Sequence, residues 1–228
     1  MRLKTRKRLL RLTLAGIVLL LLAAGYAVYA LRFADPRVQR LAVAQGCRGC
    51  DLTGANMLWI SLPGIDLAGA RLDGANLWWS DLTGANLAGA SLRDASLGRA
   101  HLRGARLDRA VLAEADISGT DLAGASLAGA DLNWANAIQV ILDGADLGEA
   151  DLGNANLFKA KLRRANLRGA RLQSASLWRA DFSGADLRGA RLDRGSLDSA
   201  VLCRTRLDGG EDNSGCPPPG QPQSGREQ

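Results

Sequence analysis

The residues best suited to chemistry are four cysteines, one histidine and a scatter of acids. Cys47-Arg48-Gly49-Cys50 has the spacing of a redox or metal motif, and Cys203 and Cys216 would complete a four-cysteine set. Zinc chemistry would need all four thiolates within one small coordination sphere. Redox chemistry of the thioredoxin kind would need the motif at a helix N-terminus. His101 is the only histidine, so no second imidazole exists for a histidine-based metal cluster. The acids recur at regular intervals in a polar setting, and no nucleophile motif or phosphate-binding loop appears. These residues predict no enzyme, no metal and no cofactor. What remains for the cysteines is two local disulfides, Cys47–Cys50 and Cys203–Cys216, in an oxidising compartment.

The element that must position these residues is a repeat of five. From Cys50 to Gly209 the chain reads Ala-(Asp/Asn/Arg/Ser)-Leu-x-Gly in its commonest form, and Leu holds the central place in 28 of 32 units. Met57, Ile117, Ala137 and Phe182 fill the other four. A helix cannot use this spacing: five residues advance about 500°, so the leucines wind around the whole surface. A flat strand fails as well, because an odd spacing sends successive leucines to opposite faces. A backbone that turns a corner at each unit meets both demands. Four corners close a square coil of 20 residues with every Leu inside, and Gly at the end of a unit suits a turn that needs positive φ. Thirty-two units predict about eight coils, which at about 4.8 Å per coil make a rod on the order of 38 Å long. Cys47 and Cys50 then lie about 35 Å from Cys203, which excludes a four-cysteine metal site within one chain.

The run Cys50-Asp51-Leu52-Thr53-Gly54-Ala55-Asn56, with the later Ala-Asn-Leu and Ala-Asp-Leu units, resembles the pentapeptide-repeat family. The resemblance implies an all-β fold, a right-handed quadrilateral β-helix. It implies little about activity: most members resemble scaffolds, and a few are DNA mimics that bind type II topoisomerases. A mimic needs acid on its exposed faces. Residues 50–209 carry 18 bases and 19 acids, close to neutral, so the cytoplasmic topoisomerase-protecting role stands only as the alternative.

Outside the rod, residues 1–11 form a flank with six positive charges, Arg2, Lys4, Arg6, Lys7, Arg8 and Arg11. Residues 12–31 carry no charge, a length that spans a bilayer core as a transmembrane signal anchor. A signal peptide cleaved after Ala30 and an exported rod is the competing reading. The basic excess before the span predicts a cytoplasmic N-terminus and a repeat domain displayed outside the cytoplasm. Residues 32–49 read as a linker. In it Asp35-Pro36 starts a short helix whose Val38, Leu41 and Ala42 cap the first coil. Residues 210–228, rich in Gly, Pro, Gln and Ser, read as a disordered tail.

Residues 20 apart stack, so each outward position forms a column along the rod. Trp59, Trp78, Trp79, Ile138, Phe158 and Trp178 fall in two adjoining columns on one face, and Arg99 follows Trp79. They are candidates for a contact surface toward a protein, a second copy or the bilayer; rings that merely stack between coils are the plainer reading. Residues 111–158 hold eight acids and no bases, and 159–206 hold twelve bases and four acids. Arg163 and Arg164 in that basic end are further contact candidates, with Arg168 and Arg171 beside them, though nucleic acid is not the expected partner. The unit with Ala137 at its centre, followed by Ile138 and Ile141, predicts a local bulge. The chain as a whole reads as a non-enzymatic scaffold or interaction module on a membrane tether.

Overall fold

A computed structural model of the chain describes residues 35–44, 46–193 and 195–216. The expected span at 12–31, the basic flank before it and residues 217–228 lie outside the described residues. Among those described, no helix is long and apolar enough to cross a membrane.

The rod is built from parallel bridges between residues 20 apart, from Gly46↔Asp66 to Asp186↔Arg206. Each unit bonds in both directions along the axis. The polar residue donates backward, as Asn76 N–H does to the Ala55 carbonyl at 2.9 Å. The central Leu and the last residue donate forward, as Leu72 does to Ser91 at 2.6 Å and Gly74 to Arg93 at 2.8 Å. A fourth bond closes the corner inside the unit, Ala75 N–H to the Leu72 carbonyl at 3.0 Å. Nearly every backbone group is thus paired while the chain turns four times per coil, which satisfies the demand on buried peptide groups. The central leucines and the small residues two before them fill the interior; Leu67 to Leu172 are almost wholly buried.

The solenoid starts one unit earlier than the repeat suggests. Gly46 pairs with Asp66, and Cys47 donates to the Asp66 carbonyl at 2.7 Å. Cys47 occupies the central Leu place and Cys50 the small-residue place, so the consensus is unrecognisable there although the backbone is regular. Helix α1, Pro36–Ala44, closes this end. Asp35 caps it by accepting the Arg37 N–H at 2.8 Å, and Val38 and Leu41 bury themselves in the leucine core. That covers a coil edge which would otherwise pair with another chain.

Three local expectations are corrected. The repeat is not unbroken to its end: Ser176 has no bridge to Ser196, and Arg179 donates to Ser199 where the register calls for Asp198. Gly195 replaces the small inward Ala there at φ 77°, so no methyl pins that corner inside. The ordered chain does not stop at Gly209. Strand β1, Thr205–Leu207, pairs antiparallel with β2, Gly210–Asp212, and Gly215 donates to the Leu202 carbonyl at 2.6 Å. This hairpin needs no core of its own, because ladder bonds and the Cys203–Cys216 bridge hold it on the last coil. The Ala137 unit carries no bulge: Asp116, Asn136 and Asn156 stay in register, as do Asp121, Ile141 and Lys161. Ala137 remains inside, and the next corner holds a fully buried Val140 where Ala is usual. Val140 restores much of the volume that the missing Leu leaves empty.

Candidate interaction face

Every described unit from Gly49 to Gly189 ends on a residue with positive φ. This is the third position of a four-residue turn, where Gly is free of strain and any side chain costs roughly 1 kcal/mol. The glycines are not shared evenly. The corner columns that begin at Gly64 and Gly69 keep Gly at most levels. The column of Gly54 instead carries Asp94, Glu114, Trp134, Asn154 and Ser174. The column of Trp59 carries Trp59, Trp79, Arg99, Gln139, Lys159 and Arg179. These two corners bound a single face and hold 11 of the 15 strained side chains.

The expected aromatic residues lie on this face in two groups. Near the first coil Trp59 and Trp79 stack with centroids 5.3 Å apart and planes 1° from parallel, and the Arg99 guanidinium lies 5.2 Å from the Trp79 ring centre. Trp78 folds over Gly98; a Cβ at that glycine would come within 2.8 Å of the indole, so the missing side chain makes the ring's seat. Toward the other end Phe158 and Trp178 stack at 5.1 Å. Lys159 lies 5.4 Å from the Phe158 ring and Arg179 4.7 Å from Trp178, both as cation–π partners. Ile138 is half-buried one coil before Phe158 in the same column. Trp59, Trp79 and Trp178 remain exposed at 66%, 37% and 50%. Between the corners the outward column is small and nearly uncharged, Asn56, Asn76, Ser96, Asp116, Asn136, Asn156 and Ser176.

Among the described residues the rod's ion pairs lie on the other three faces, apart from Arg93, which reaches Asp131 from the turn before Asp94. Arg71–Asp51, Arg103–Asp121, Arg168–Asp186 and Arg171–Asp151 join residues in neighbouring coils. Arg163, a contact candidate, forks onto Asp143 at 2.8 Å and reaches Asp181 at 3.9 Å. Arg164, the other candidate, turns through positive φ with its stem against Gly184. Asp186 takes a short bond from the Arg188 guanidinium, which holds its carboxyl far below the usual carboxylate range, with Arg168 assisting. In the basic end Arg163, Arg168 and Arg171 are matched by acids one coil away, and Arg188 by Asp186 in its own unit.

Three contributors carry little signal in the sequence. Lys159 and Arg179 are signalled only by standing directly after Phe158 and Trp178. Trp134, 64% exposed, occupies the other corner of the same face and was hidden by being one column away. The cysteines form two bridges at opposite ends, Cys47–Cys50 and Cys203–Cys216. A shallow cleft of about 300 Å³ adjoins the first, lined by Arg37, Arg40, Leu41 and Asp51. His101 is exposed, and among the described residues no three His, Cys, Asp or Glu side chains gather for a metal.

Square coils of five-residue sides, stacked through parallel bridges on a leucine ladder, define a quadrilateral β-solenoid with no built catalytic centre among the described residues. The chain belongs to the pentapeptide-repeat family: the model for pentapeptide repeats matches it in eight copies that together run over residues 60–210. Proteins of this family fold as right-handed β-helices. Among solved structures, the chain is 29% identical to HetL, a pentapeptide repeat protein involved in heterocyst differentiation regulation from the cyanobacterium Nostoc sp. strain PCC 7120. That match covers 78% of this chain and 99% of the other, with a TM-score of 0.33. QnrB1, a plasmid-mediated fluoroquinolone resistance protein, is 18% identical over 72% of this chain and 91% of its own, with a TM-score of 0.51. A pentapeptide repeat protein from the Arabidopsis thaliana thylakoid lumen is 23% identical over 68% and 77%, with a TM-score of 0.15. No curated protein matches the chain.

Proposed function

We propose that the protein is a non-enzymatic scaffold, tethered to a membrane through residues 12–31 and displaying its rod outside the cytoplasm, where it acts by contact through the glycine-poor face. The observation that carries the contact reading is the placement of 11 of 15 strained turn side chains on the two corners of that face. A rod needs only glycine at those corners to stand. Side chains kept there at a cost serve something beyond the fold. Exposed tryptophans and a nearly uncharged column between the corners suit a buried contact better than open solvent. The uncharged run at 12–31 and its basic flank support the tether and its orientation, and the two disulfides suit an oxidising compartment. The likeness to QnrB1 is one of fold. A near-neutral rod gives no support to DNA mimicry.

The test of placement is a reporter fused after Gln228, since a fusion at Gly209 would split the hairpin and the Cys203–Cys216 bridge. A reporter active only outside the cytoplasm is expected to work. Silence there, with an active cytoplasmic reporter at the same point, overturns the display outside.

A further inference from the structure

We infer that the glycine-poor face is completed by a second copy of this chain, packed antiparallel along the Leu58 and Trp59 columns about a two-fold axis at Ser118 and Gly119. The inference rests on reading this face as a contact surface and names its partner. The order of side chains along the two columns carries it. Bulk sits at both ends, Leu58 and Trp78 near the first coil, Phe158 and Trp178 near the last, while Ser118 and Gly119 in the middle are small. A two-fold interface is self-complementary, and the residues on its axis meet their own copies. Small residues there let the two rods approach.

Antiparallel register about that level sets Leu58 opposite Trp178 and Trp78 opposite Phe158. In the adjoining column it sets Trp59 opposite Arg179 and Trp79 opposite Lys159. Charge and ring are thus matched across the axis. The first-coil end has two exposed tryptophans, and among the described residues Arg99 is the one cation over either, on Trp79. The last-coil end supplies cations already held against rings, Lys159 on Phe158 and Arg179 on Trp178. Each would gain a second ring from the partner. A parallel pairing whose axis runs along the Trp59 column instead sets Lys159 and Arg179 against their own copies, and like charges face each other. From Leu58 to Arg179 the two columns carry no acid, so no opposite charge on the same columns relieves that repulsion. End-to-end pairing is blocked as well, by helix α1 at one end and the β1–β2 hairpin at the other.

The test uses the full chain in detergent and in vesicles, with cysteines added to a protein whose own four are bridged. Ser118→Cys is expected to cross-link to itself through a short thiol reagent. Leu58→Cys is expected to stay unlinked alone and to link when mixed with a tagged Trp178→Cys chain. Lys159→Glu with Arg179→Glu is expected to weaken the dimer at least ten-fold, and Lys161→Glu on the neighbouring column to leave it unchanged. A Leu58→Cys homodimer, or a monomer at every concentration with wild-type side chains, overturns the pairing. Capture of a different protein at Ser118→Cys also overturns it, yet leaves the contact reading standing. A Ser118→Cys thiol that reacts freely and links to nothing, protein or lipid, removes both.

Discussion

The four corners of the rod obey one backbone rule and answer it in two ways. On the Gly64 and Gly69 columns, glycine meets the positive-φ requirement at most levels, and the adjacent faces carry the ion pairs between coils. On the Gly54 and Trp59 columns the same φ, near 55° to 63°, is imposed on Trp, Arg, Glu and Lys. The backbone keeps the same bonding scheme on both sides, although the forward bonds of Trp79 and Asp94 stretch to 3.2 Å where those of Gly64 and Gly144 measure 2.8 Å. One half of the molecule is therefore tuned for its own stability, and the other carries strain that the fold does not require. Solenoids make such a contrast readable, because each coil repeats the experiment with a different side chain at a fixed conformation.

The leucine ladder beneath both halves is the common ground, and breaking it should have the largest effect. Leu127→Ala removes a fully buried side chain flanked by identical neighbours that cannot collapse inward, and should cost about 3–5 kcal/mol in chemical denaturation. The Ala137 unit should respond in the opposite sense. Ala137→Leu restores the consensus yet should destabilise by about 1–3 kcal/mol, because the fully buried Val140 already adds two methyl groups to the core at this corner. Adding Val140→Ala should recover most of that loss. A neutral Ala137→Leu would mean that an empty cavity, and no compensation, sits at this level.

Turn substitutions sharpen the contrast directly. Gly124→Ala, at φ 66° with open space around its Cβ, meets no clash but takes on left-handed backbone strain and should cost about 1 kcal/mol. Glu114→Gly makes the reverse change at φ 63° on the other side, and should stabilise the isolated chain by about 1 kcal/mol. Opposite signs in paired melting curves support the division into a stable side and a strained side. If both changes destabilise, the side chains on the glycine-poor corners contribute to the fold itself, and the strain argument for a contact surface falls.

How much of this was visible in the sequence follows from which features are periodic. The five-residue spacing sets the coil, the core and the columns, because a leucine every fifth residue has few ways to be buried. Asp35-Pro36 announces the capping helix through local chemistry alone. Where the consensus residue is replaced, the pattern is silent. Cys47 stands in a leucine's place, so the first unit went uncounted; Gly195 keeps the spacing while the backbone leaves it. The hairpin at Gly210–Asp212 is fixed by ladder bonds and a disulfide to a distant coil, and its composition resembles a loose tail. The contact face was half legible. The tryptophan columns come from counting by twenty, whereas the cations over the rings depend on side-chain direction, which spacing does not encode. The contrast between glycine-rich and glycine-poor corners was present in the sequence, but its meaning needed the φ values.

Acid should separate the two sides by the smallest margin. Carboxylates are common on the glycine-rich side and almost missing from the Asn56 column, where Asp116 stands alone. Asp186 is the most perturbed of them: the Arg188 side chain bonds its carboxylate, and its pKa in the folded chain lies far below the unfolded value of about 3.9. A depressed folded pKa adds stability that is fully present above the unfolded value and is lost as pH falls below it toward the folded one. Asp81, lowered by the Thr83 hydroxyl, acts in the same direction. Melting temperature should therefore be flat from pH 7 to about 5 and decline below about 4. Asp186→Asn should lower the plateau slightly and flatten the decline, since the side chain no longer titrates. An acid decline left as steep by Asp186→Asn as in the parent chain would show that the response does not come from the arginine-held side.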